Sequence, residues 1–218
     1  MKTFIVLSTN TSKIPKEFQE DDNRFSESLV QYFLEKYTKK GDKIIDPFAG
    51  LGTTLRVSEK MGRIPFGIEL DRDRCDYIRK TIKHKNNIFC GNSLQLEQFD
   101  LPKLDLSITS PPYMPITDKE NPLRKSKTGY HSYLKDINKI YLKLKKLMKK
   151  NAYVIIEASN LKNQEVTILA WDIAREVSKV FHFEGEMVVG WKSKRIGTGK
   201  GSYGYGYDHS YCLIFKNK

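Results

Sequence analysis

Residues 43–54 read Lys-Ile-Ile-Asp-Pro-Phe-Ala-Gly-Leu-Gly-Thr-Thr, and this stretch predicts the fold of the chain. Its apolar start is typical of a buried β-strand, which leads through a glycine turn into the first turn of a helix. Gly50 and Gly52 allow the backbone to approach a ligand where a Cβ atom would collide. Such a unit can hold a dinucleotide or S-adenosylmethionine, or can form a turn without any ligand.

Short apolar runs alternate with helical patterns on both sides of this stretch. Strands are predicted at 43–46, 64–69, 87–90, 104–109, 153–157, 183–191 and 211–215, and helices near 26–38, 52–61, 73–85, 131–150 and 163–180. Strand–helix alternation predicts a parallel sheet covered on both faces, whereas the last two strands have no helix between them and predict an antiparallel hairpin. We expect an α/β fold of the Rossmann-like type, with a mostly parallel seven-stranded sheet and an antiparallel C-terminal hairpin.

Polar residues follow two further strands of this predicted sheet. Glu69 ends the second strand, and Asn92 and Ser93 follow the third. Because ligands bind at the carboxyl ends of parallel strands, Glu69 is predicted to accept hydrogen bonds from ribose hydroxyls and Asn92 to meet an adenine amine. The alternatives are an N-cap acid for Glu69 and a turn asparagine for Asn92. A nicotinamide cofactor is disfavoured because Leu55 stands where the dinucleotide pattern needs its third glycine.

A proline corner, Thr109-Ser110-Pro111-Pro112-Tyr113, follows the fourth strand. Two consecutive prolines end the strand and fix the backbone, so the residues before them present carbonyl and hydroxyl acceptors at the strand tip. A proline turn with a core tyrosine is the simpler interpretation. Beside a cofactor-binding edge, however, the corner is predicted to carry the chemistry, with Ser110, Pro111, Pro112 and Tyr113 as the catalytic residues.

At these motifs the sequence resembles the DNA amino-methyltransferases of the N4-cytosine/N6-adenine family. Residues 46–54 resemble their S-adenosylmethionine motif, residues 66–71 their ribose-binding motif, and residues 110–113 their catalytic motif in its serine form. The resemblance, which covers residues 24–113 well and the last thirty weakly, implies a class I methyltransferase with S-adenosylmethionine as cofactor. It implies these cofactor-binding residues: Phe25, Ser26, Asp46, Pro47, Phe48, Ala49, Gly50, Gly52, Thr53, Thr54, Glu69, Leu70, Asn92 and Ser93.

The residue types of the corner suit methyl transfer to an amine. Ser110 Oγ and the Pro111 carbonyl can hold the two N–H groups of an exocyclic amine, so that its lone pair points at the methyl sulfonium and transfer needs mainly positioning. Tyr113 would stack on the extruded base. In the family, serine at the first position goes with cytosine and aspartate with adenine, so N4 of cytosine is the first choice. No metal is expected.

The charge of the chain favours a nucleic acid as the partner. The net charge is +12, and residues 114–150 hold eleven Lys or Arg against three acids, although the lysines of the predicted helix also suit a solvated face. The predicted nucleic-acid contacts are Arg124, Lys125, Lys127, Lys194, Arg195, Lys200, Tyr203 and Tyr205. Because the chain has no large recognition region, we expect structured RNA such as ribosomal RNA, with a site-specific DNA N4-cytosine or N6-adenine methyltransferase as the alternative.

The length of 218 residues suits one domain, with an N-terminal extension at 1–23 and candidate substrate loops at 114–130 and 192–209. The three cysteines form no CxxC pair, so neither a disulfide framework nor a zinc site is expected. No signal peptide or membrane span is found, which predicts a cytoplasmic protein, expected to be a monomer. A nicotinamide oxidoreductase, a non-catalytic RNA-binding module and a small-molecule methyltransferase remain as rival classes.

Overall fold

The structure, a computed structural model, describes residues 2–19, 24–162, 165–192 and 209–218. One eight-stranded sheet runs through it in the order β1-β9-β10-β6-β5-β2-β3-β4, and β7 and β8 form a separate two-stranded sheet. The strands are β1 (Phe4–Leu7), β2 (Lys43–Asp46), β3 (Ile64–Glu69), β4 (Ile88–Cys90), β5 (Leu104–Thr109), β6 (Met148–Ala158), β7 (Leu161–Lys162), β8 (Val166–Thr167), β9 (His182–Trp191) and β10 (His209–Lys216).

Strand directions confirm the predicted architecture. In the large sheet β10 runs antiparallel to both of its neighbours, β6 and β9, while all the other pairs are parallel. The seven predicted strands are all present, and the last two form the expected hairpin. The predicted N-terminal extension supplies an eighth strand, because β1 pairs in parallel with β9 from Phe4 opposite Val188 to Leu7 opposite Trp191.

Within the described ranges, five α-helices cover the sheet. They are α1 (Glu27–Tyr37), α2 (Thr53–Lys60), α3 (Arg72–Thr81), α4 (Gly129–Lys145) and α5 (Leu169–Ser178). Ser26 is the N-cap of α1, and its side chain accepts a hydrogen bond from the Ser28 backbone N–H. The helix predicted over 163–180 begins only at Leu169, because β7 and β8 pair with each other before it.

Alternation along the central strands separates two layers of core. Ile44 of β2 lies in the cluster that contains Leu29 and Phe33 of α1, whereas the next residue, Ile45, lies in the cluster of α4 and α5 with Ile137. Successive side chains of a strand point to opposite faces, so a continuous apolar run is what a strand covered on both sides requires. Because the helices cover both faces of the sheet, a ligand can reach it at the edge formed by the carboxyl ends of the parallel strands.

The cysteines depart from the sequence-based expectation. Cys75 of α3 and Cys90 at the end of β4 form a disulfide, so the expectation that the chain lacks one was wrong. The fold brings α3 back along β4 and sets the two Cα atoms 5.9 Å apart, within the range that a disulfide spans. Cys212 is buried and free. Among the described residues, no helix combines the length and the apolar character that crossing a membrane requires.

Candidate active site

The glycine turn after β2 uses its two glycines for different purposes. Both have positive φ, 55° at Gly50 and 78° at Gly52. A Cβ atom on Gly52 would lie 3.0 Å from Ile78 Cγ1, so this glycine lets α3 pack against the turn. A Cβ atom on Gly50 would have only the Phe48 carbonyl oxygen, at 3.9 Å, within 4 Å. Open space therefore lies beside Gly50, whereas the sequence predicted a ligand approach at both glycines.

Glu69, at the end of β3, closes this turn. Its Oε2 accepts a hydrogen bond from Gly50 N at 2.7 Å, and its Oε1 accepts one from Asp71 N at 2.9 Å. Burial raises the pKa of the Glu69 carboxyl, although these two bonds act in the opposite direction. The N-cap of α3 is Asp71, not Glu69. A carboxylate has about four acceptor positions, so Glu69 keeps acceptor capacity for two ribose hydroxyls.

Asp46 connects the turn to the proline corner. It ends β2 and is 1% exposed, and its Oδ1 accepts hydrogen bonds from Phe48 N at 3.0 Å and from Thr109 Oγ1 at 2.5 Å. Burial raises the pKa of the Asp46 carboxyl to about 6 against these hydrogen bonds. Since β2 and β5 are paired neighbours, the glycine turn and the corner lie side by side on one sheet edge.

One buried polar atom of the turn has no hydrogen-bond partner among the described residues. Thr53 Oγ1, in the first turn of α2, is buried and accepts or donates no hydrogen bond within the described residues. An unpaired buried hydroxyl is costly, so its presence beside the free N–H groups of a helix N-terminus favours a polar ligand at this position. Thr54 Oγ1 instead lies 3.5 Å from the Ile108 carbonyl oxygen. Leu70, next to Glu69, is 38% exposed. Its side chain therefore offers an apolar surface on which an adenine ring could pack.

Four of the predicted cofactor contacts have structural partners. Asn92 Oδ1 accepts from Leu94 N at 2.9 Å and its Nδ2 donates to the Leu123 carbonyl at 2.7 Å, while Ser93 Oγ donates to the Pro47 carbonyl. Phe25 is buried with the α1 core, and Ser26 caps α1. Asn92 is thus the turn asparagine of the alternative interpretation, and a contact with adenine stays a prediction for its remaining hydrogen-bonding capacity.

The proline corner is held by residues from distant parts of the chain. The Tyr113 hydroxyl donates to Glu157 Oε2 at 3.2 Å, and the Tyr133 hydroxyl donates to the Pro112 carbonyl at 2.9 Å. Just beyond the corner, Ile116 N donates to a threonine hydroxyl of β8 at 2.9 Å. Pro111 is buried, while Ser110, Pro112 and Tyr113 are partly exposed. The corner therefore presents Ser110 at the edge in a constrained backbone.

Sequence reasoning missed the residues that hold the corner. Glu157 is 5% exposed near the end of β6, which lies next to β5. An acid that follows a buried apolar strand is the signal that identified Glu69, and it was available for Glu157 as well. Tyr133 and Thr167 carry no such signal, because nothing in a helical tyrosine or a short polar segment points to a contact with the corner.

The predicted nucleic-acid contacts fall into two groups. Lys194, Arg195, Lys200, Tyr203 and Tyr205 lie outside the described residues. Arg124 Nη2 donates to Asp136 Oδ1 at 2.7 Å, and the Arg124 Nε–Asp136 Oδ2 bond completes a bidentate pair. Asp136 is completely buried, so Arg124 is held in place, and its use for nucleic-acid contact stays a prediction together with those of Lys125 and Lys127.

A groove of about 550 Å³ lies between α4 and the segment after β4. Its walls carry three cationic side chains, those of Arg124, Lys139 and Lys143, together with the amides of Asn92 and Gln95. Lys143 also donates to Glu97 Oε1 at 2.7 Å. The groove begins beside Asn92 at the cofactor edge, and its charge suits an anionic polymer. No group of His, Cys, Asp or Glu able to hold a metal occurs in the part of the chain that the structure describes.

Comparison with known protein families finds a match in the first third of the chain. Residues 6–80 match a family model described as DNA methylase, for N6 and N4 methyltransferases. The type II methyltransferase M.BamHI of Bacillus amyloliquefaciens is 39% identical over 64 residues, which are 29% of this chain and 15% of that protein. M2.DpnII of Streptococcus pneumoniae is 33% identical over 76 residues, 35% of this chain and 28% of that protein. The matches thus span less than a third of these relatives.

Comparison with solved structures covers nearly the whole chain. TrmN from Thermus thermophilus has a TM-score of 0.63 at 14% identity, over 94% of this chain and 54% of that one. Geranyl diphosphate C-methyltransferase from Streptomyces coelicolor A3(2), solved with S-adenosyl-L-homocysteine, has a TM-score of 0.60 at 10% identity, over 98% and 91%. These likenesses establish the fold as that of the class I methyltransferases.

Proposed function

Because residues 6–80 match the family model for N6 and N4 DNA methylases, we propose that the protein transfers a methyl group from S-adenosylmethionine to an exocyclic amine of a nucleic-acid base. One observation carries the proposal. The glycine turn after β2 and the Ser-Pro-Pro-Tyr corner lie side by side, and the hydrogen bond from Thr109 to Asp46 joins them. An acceptor for an amine and a pocket for a nucleoside cofactor are thereby adjacent.

The residues of the turn fit the cofactor. Gly50 leaves space beside the backbone, Glu69 keeps acceptor positions for the ribose, and the unpaired Thr53 hydroxyl can bond to the methionine carboxylate or amine. When bound, S-adenosylmethionine supplies an electrophilic methyl group on a sulfonium. The buried carboxyls of Asp46 and Glu69 also suit a cationic ligand, because a nearby positive charge stabilises their ionised forms.

The corner residues orient the amine. Ser110 Oγ and the Pro111 carbonyl accept hydrogen bonds from the amine, and Tyr113 stacks on the base. Glu157 holds the Tyr113 hydroxyl, so the plane of that ring is set from β6. The amine forms its new bond to carbon as the sulfur–carbon bond breaks, and its proton is lost to solvent or to a neighbouring acceptor.

We propose DNA as the polymer and N4 of cytosine as the target. The matched family is described as DNA methylase, and the relatives are named as type II methyltransferases, which supports DNA over the RNA expected from the small size of the chain. Tyr203 and Tyr205, which are predicted to contact nucleic acid, lie outside the described residues. Cytosine remains the first choice because the corner has serine at its first position. A cytoplasmic location and a monomeric state are part of the same proposal.

The test combines an in vitro assay with nucleoside mass spectrometry. Purified protein is incubated with labelled S-adenosylmethionine and with DNA or RNA from cells that lack the gene, and the products are digested to nucleosides. We expect N4-methyldeoxycytidine from DNA. N4-methylcytidine from RNA alone would overturn the choice of polymer, N6-methyldeoxyadenosine would overturn the choice of base, and no methylated nucleoside would overturn the function.

Matched serine variants test the corner itself. Ser110→Ala removes the proposed acceptor and is expected to lower methyl transfer about 100-fold with little change in cofactor binding. Ser178→Ala serves as the control, because its hydroxyl donates to the Ala174 carbonyl within α5 and lies outside the proposed site. Equal activity of the two variants would exclude Ser110 from the chemistry.

A further inference from the structure

Tyr133 reaches the catalytic corner from the interior of the protein. It is fully buried in α4, and its hydroxyl lies 2.9 Å from the Pro112 carbonyl oxygen, to which it donates. Its ring stacks with that of Tyr130 at a centroid distance of 6.0 Å and an interplanar angle of 23°. Burial raises the pKa of the Tyr133 phenol, so the hydroxyl keeps its proton and remains a donor. The packed ring therefore holds the hydroxyl at a fixed point.

The carbonyl that accepts from Tyr133 is oriented by one of the few backbone rotations that the corner leaves free. Proline fixes φ near −65°, so the rotations left to Pro111 and Pro112 are their ψ angles. The ψ angle of Pro112 sets the direction of its carbonyl and of the peptide plane that leads into Tyr113. A hydrogen bond from a buried, immobile donor removes this freedom. Positioning on the scale of 1 Å can change a rate of transfer about 100-fold.

We propose that Tyr133 is a positioning residue for methyl transfer: through the Pro112 carbonyl it fixes the corner, and with it the Tyr113 ring and the acceptors for the amine. The proposal rests on the function proposed above. Because Tyr133 is fully buried, we place it outside contact with substrate and cofactor, acting through the backbone of the corner.

The chain offers a matched control in the same helix. Tyr141 is also fully buried in α4, but its hydroxyl has no hydrogen-bond partner among the described residues. Tyr133→Phe and Tyr141→Phe delete the same atom from the same kind of environment. We expect Tyr133→Phe to lower kcat at least tenfold, with the Kd for S-adenosylhomocysteine and the KM for nucleic acid changed less than twofold. Tyr141→Phe is expected to change none of the three by more than twofold.

A second measurement does not depend on activity. Hydrogen–deuterium exchange followed by mass spectrometry reports the opening of a peptide that covers residues 109–116. We expect at least tenfold faster exchange of this peptide in Tyr133→Phe, and wild-type exchange in Tyr141→Phe. Unchanged exchange in Tyr133→Phe would overturn the inference, and so would an unchanged kcat in an active enzyme. If the wild-type protein transfers no methyl group, the proposed function fails while the exchange result still decides whether Tyr133 holds the corner.

Discussion

The cofactor turn and the catalytic corner lie side by side but are built in different ways. In the turn, Gly50 and Asp71 donate backbone N–H groups to Glu69, all within one β-α-β stretch. In the corner, the fixing contacts come from Tyr133 and Glu157, which are 21 and 44 residues from their partners. A local turn can be identified from a short motif, whereas a corner held by distant side chains becomes visible only after folding.

The turn also differs in its buried acids from the 114–130 segment that follows the corner. Burial raises the pKa values of Asp46 and Glu69. At Asp136 of α4, burial acts in the same direction, but the hydrogen bonds from Arg124 and Asn121 of the 114–130 segment outweigh it and lower the pKa. At Asp136 the hydrogen bonds outweigh burial, whereas at the two acids of the turn burial dominates. A positive charge bound in the turn would favour the ionised forms of Asp46 and Glu69.

The largest effect is expected at Glu69. Glu69→Gln removes the charge behind the ribose hydrogen bonds and leaves a single acceptor oxygen for Gly50 N and Asp71 N. Hydrogen bonds to charged groups contribute about 1.5–3 kcal/mol each, so we expect the Kd for S-adenosylhomocysteine to rise roughly 100-fold in calorimetry. Glu97→Gln, on a side chain that is 57% exposed, is the control and should bind as the wild type does. Equal affinities would remove Glu69 from the cofactor site.

The disulfide is expected to have an effect of similar size, on stability instead of binding. It closes a loop with a sequence separation of 15, for which chain entropy predicts a contribution of about 3 kcal/mol to stability. Cys90→Ser is therefore expected to lower the Tm by roughly 6–12 °C in calorimetry without reductant. Dithiothreitol should lower the Tm of the wild type and leave that of Cys90→Ser unchanged. A reductant effect of the same size in both proteins would show that the bond contributes nothing.

The smallest effect is a pH dependence at Asp46. Because the pKa of this acid is raised from 3.8 to about 6, the folded protein holds more protons than the unfolded chain in that window. The free energy of unfolding should therefore fall as pH rises from about 4 to 6, by roughly 2 kcal/mol from this group.

Urea unfolding of Asp46→Asn across the same range provides the comparison. Both Phe48 N and Thr109 Oγ1 donate to Oδ1, which asparagine retains, so the variant should fold and lose this part of the slope. A slope identical to that of the wild type would show that Asp46 does not titrate there. A related measurement sharpens the contrast between the two regions, since cofactor binding near pH 5 should release protons from the wild type and fewer from Asp46→Asn.

Much of the fold was predictable because its signals are periodic. Seven strands and the C-terminal hairpin follow from apolar runs and from the presence or absence of helices between them. β1 was not predicted, since Phe4–Leu7 is a four-residue strand with half of its residues exposed, and its pairing with β9 depends on residues far along the chain. The Cys75–Cys90 bond was missed for the same reason, because only the packing of α3 on β4 brings the two together.

The candidate site was predictable where one motif supplies both the turn and the ligand contact. Gly50, Glu69 and Ser110 belong to such motifs. The different use of Gly52 depends on Ile78 of α3, and the use of Asn92 depends on the Leu123 carbonyl. These contacts join segments that are far apart in the sequence. A sequence motif therefore identifies the site residues but not the residues that contact them in the fold.

The parallel pairing of β1 with β9 has a consequence for biosynthesis. Phe4–Leu7 is translated well before Val188–Trp191, its partner in the sheet. Contacts between such distant segments form late, because the intervening chain must first be ordered. Strands β2 to β6 and their helices can form before β9 is available to β1, so we expect this edge to be the last part of the sheet to be completed.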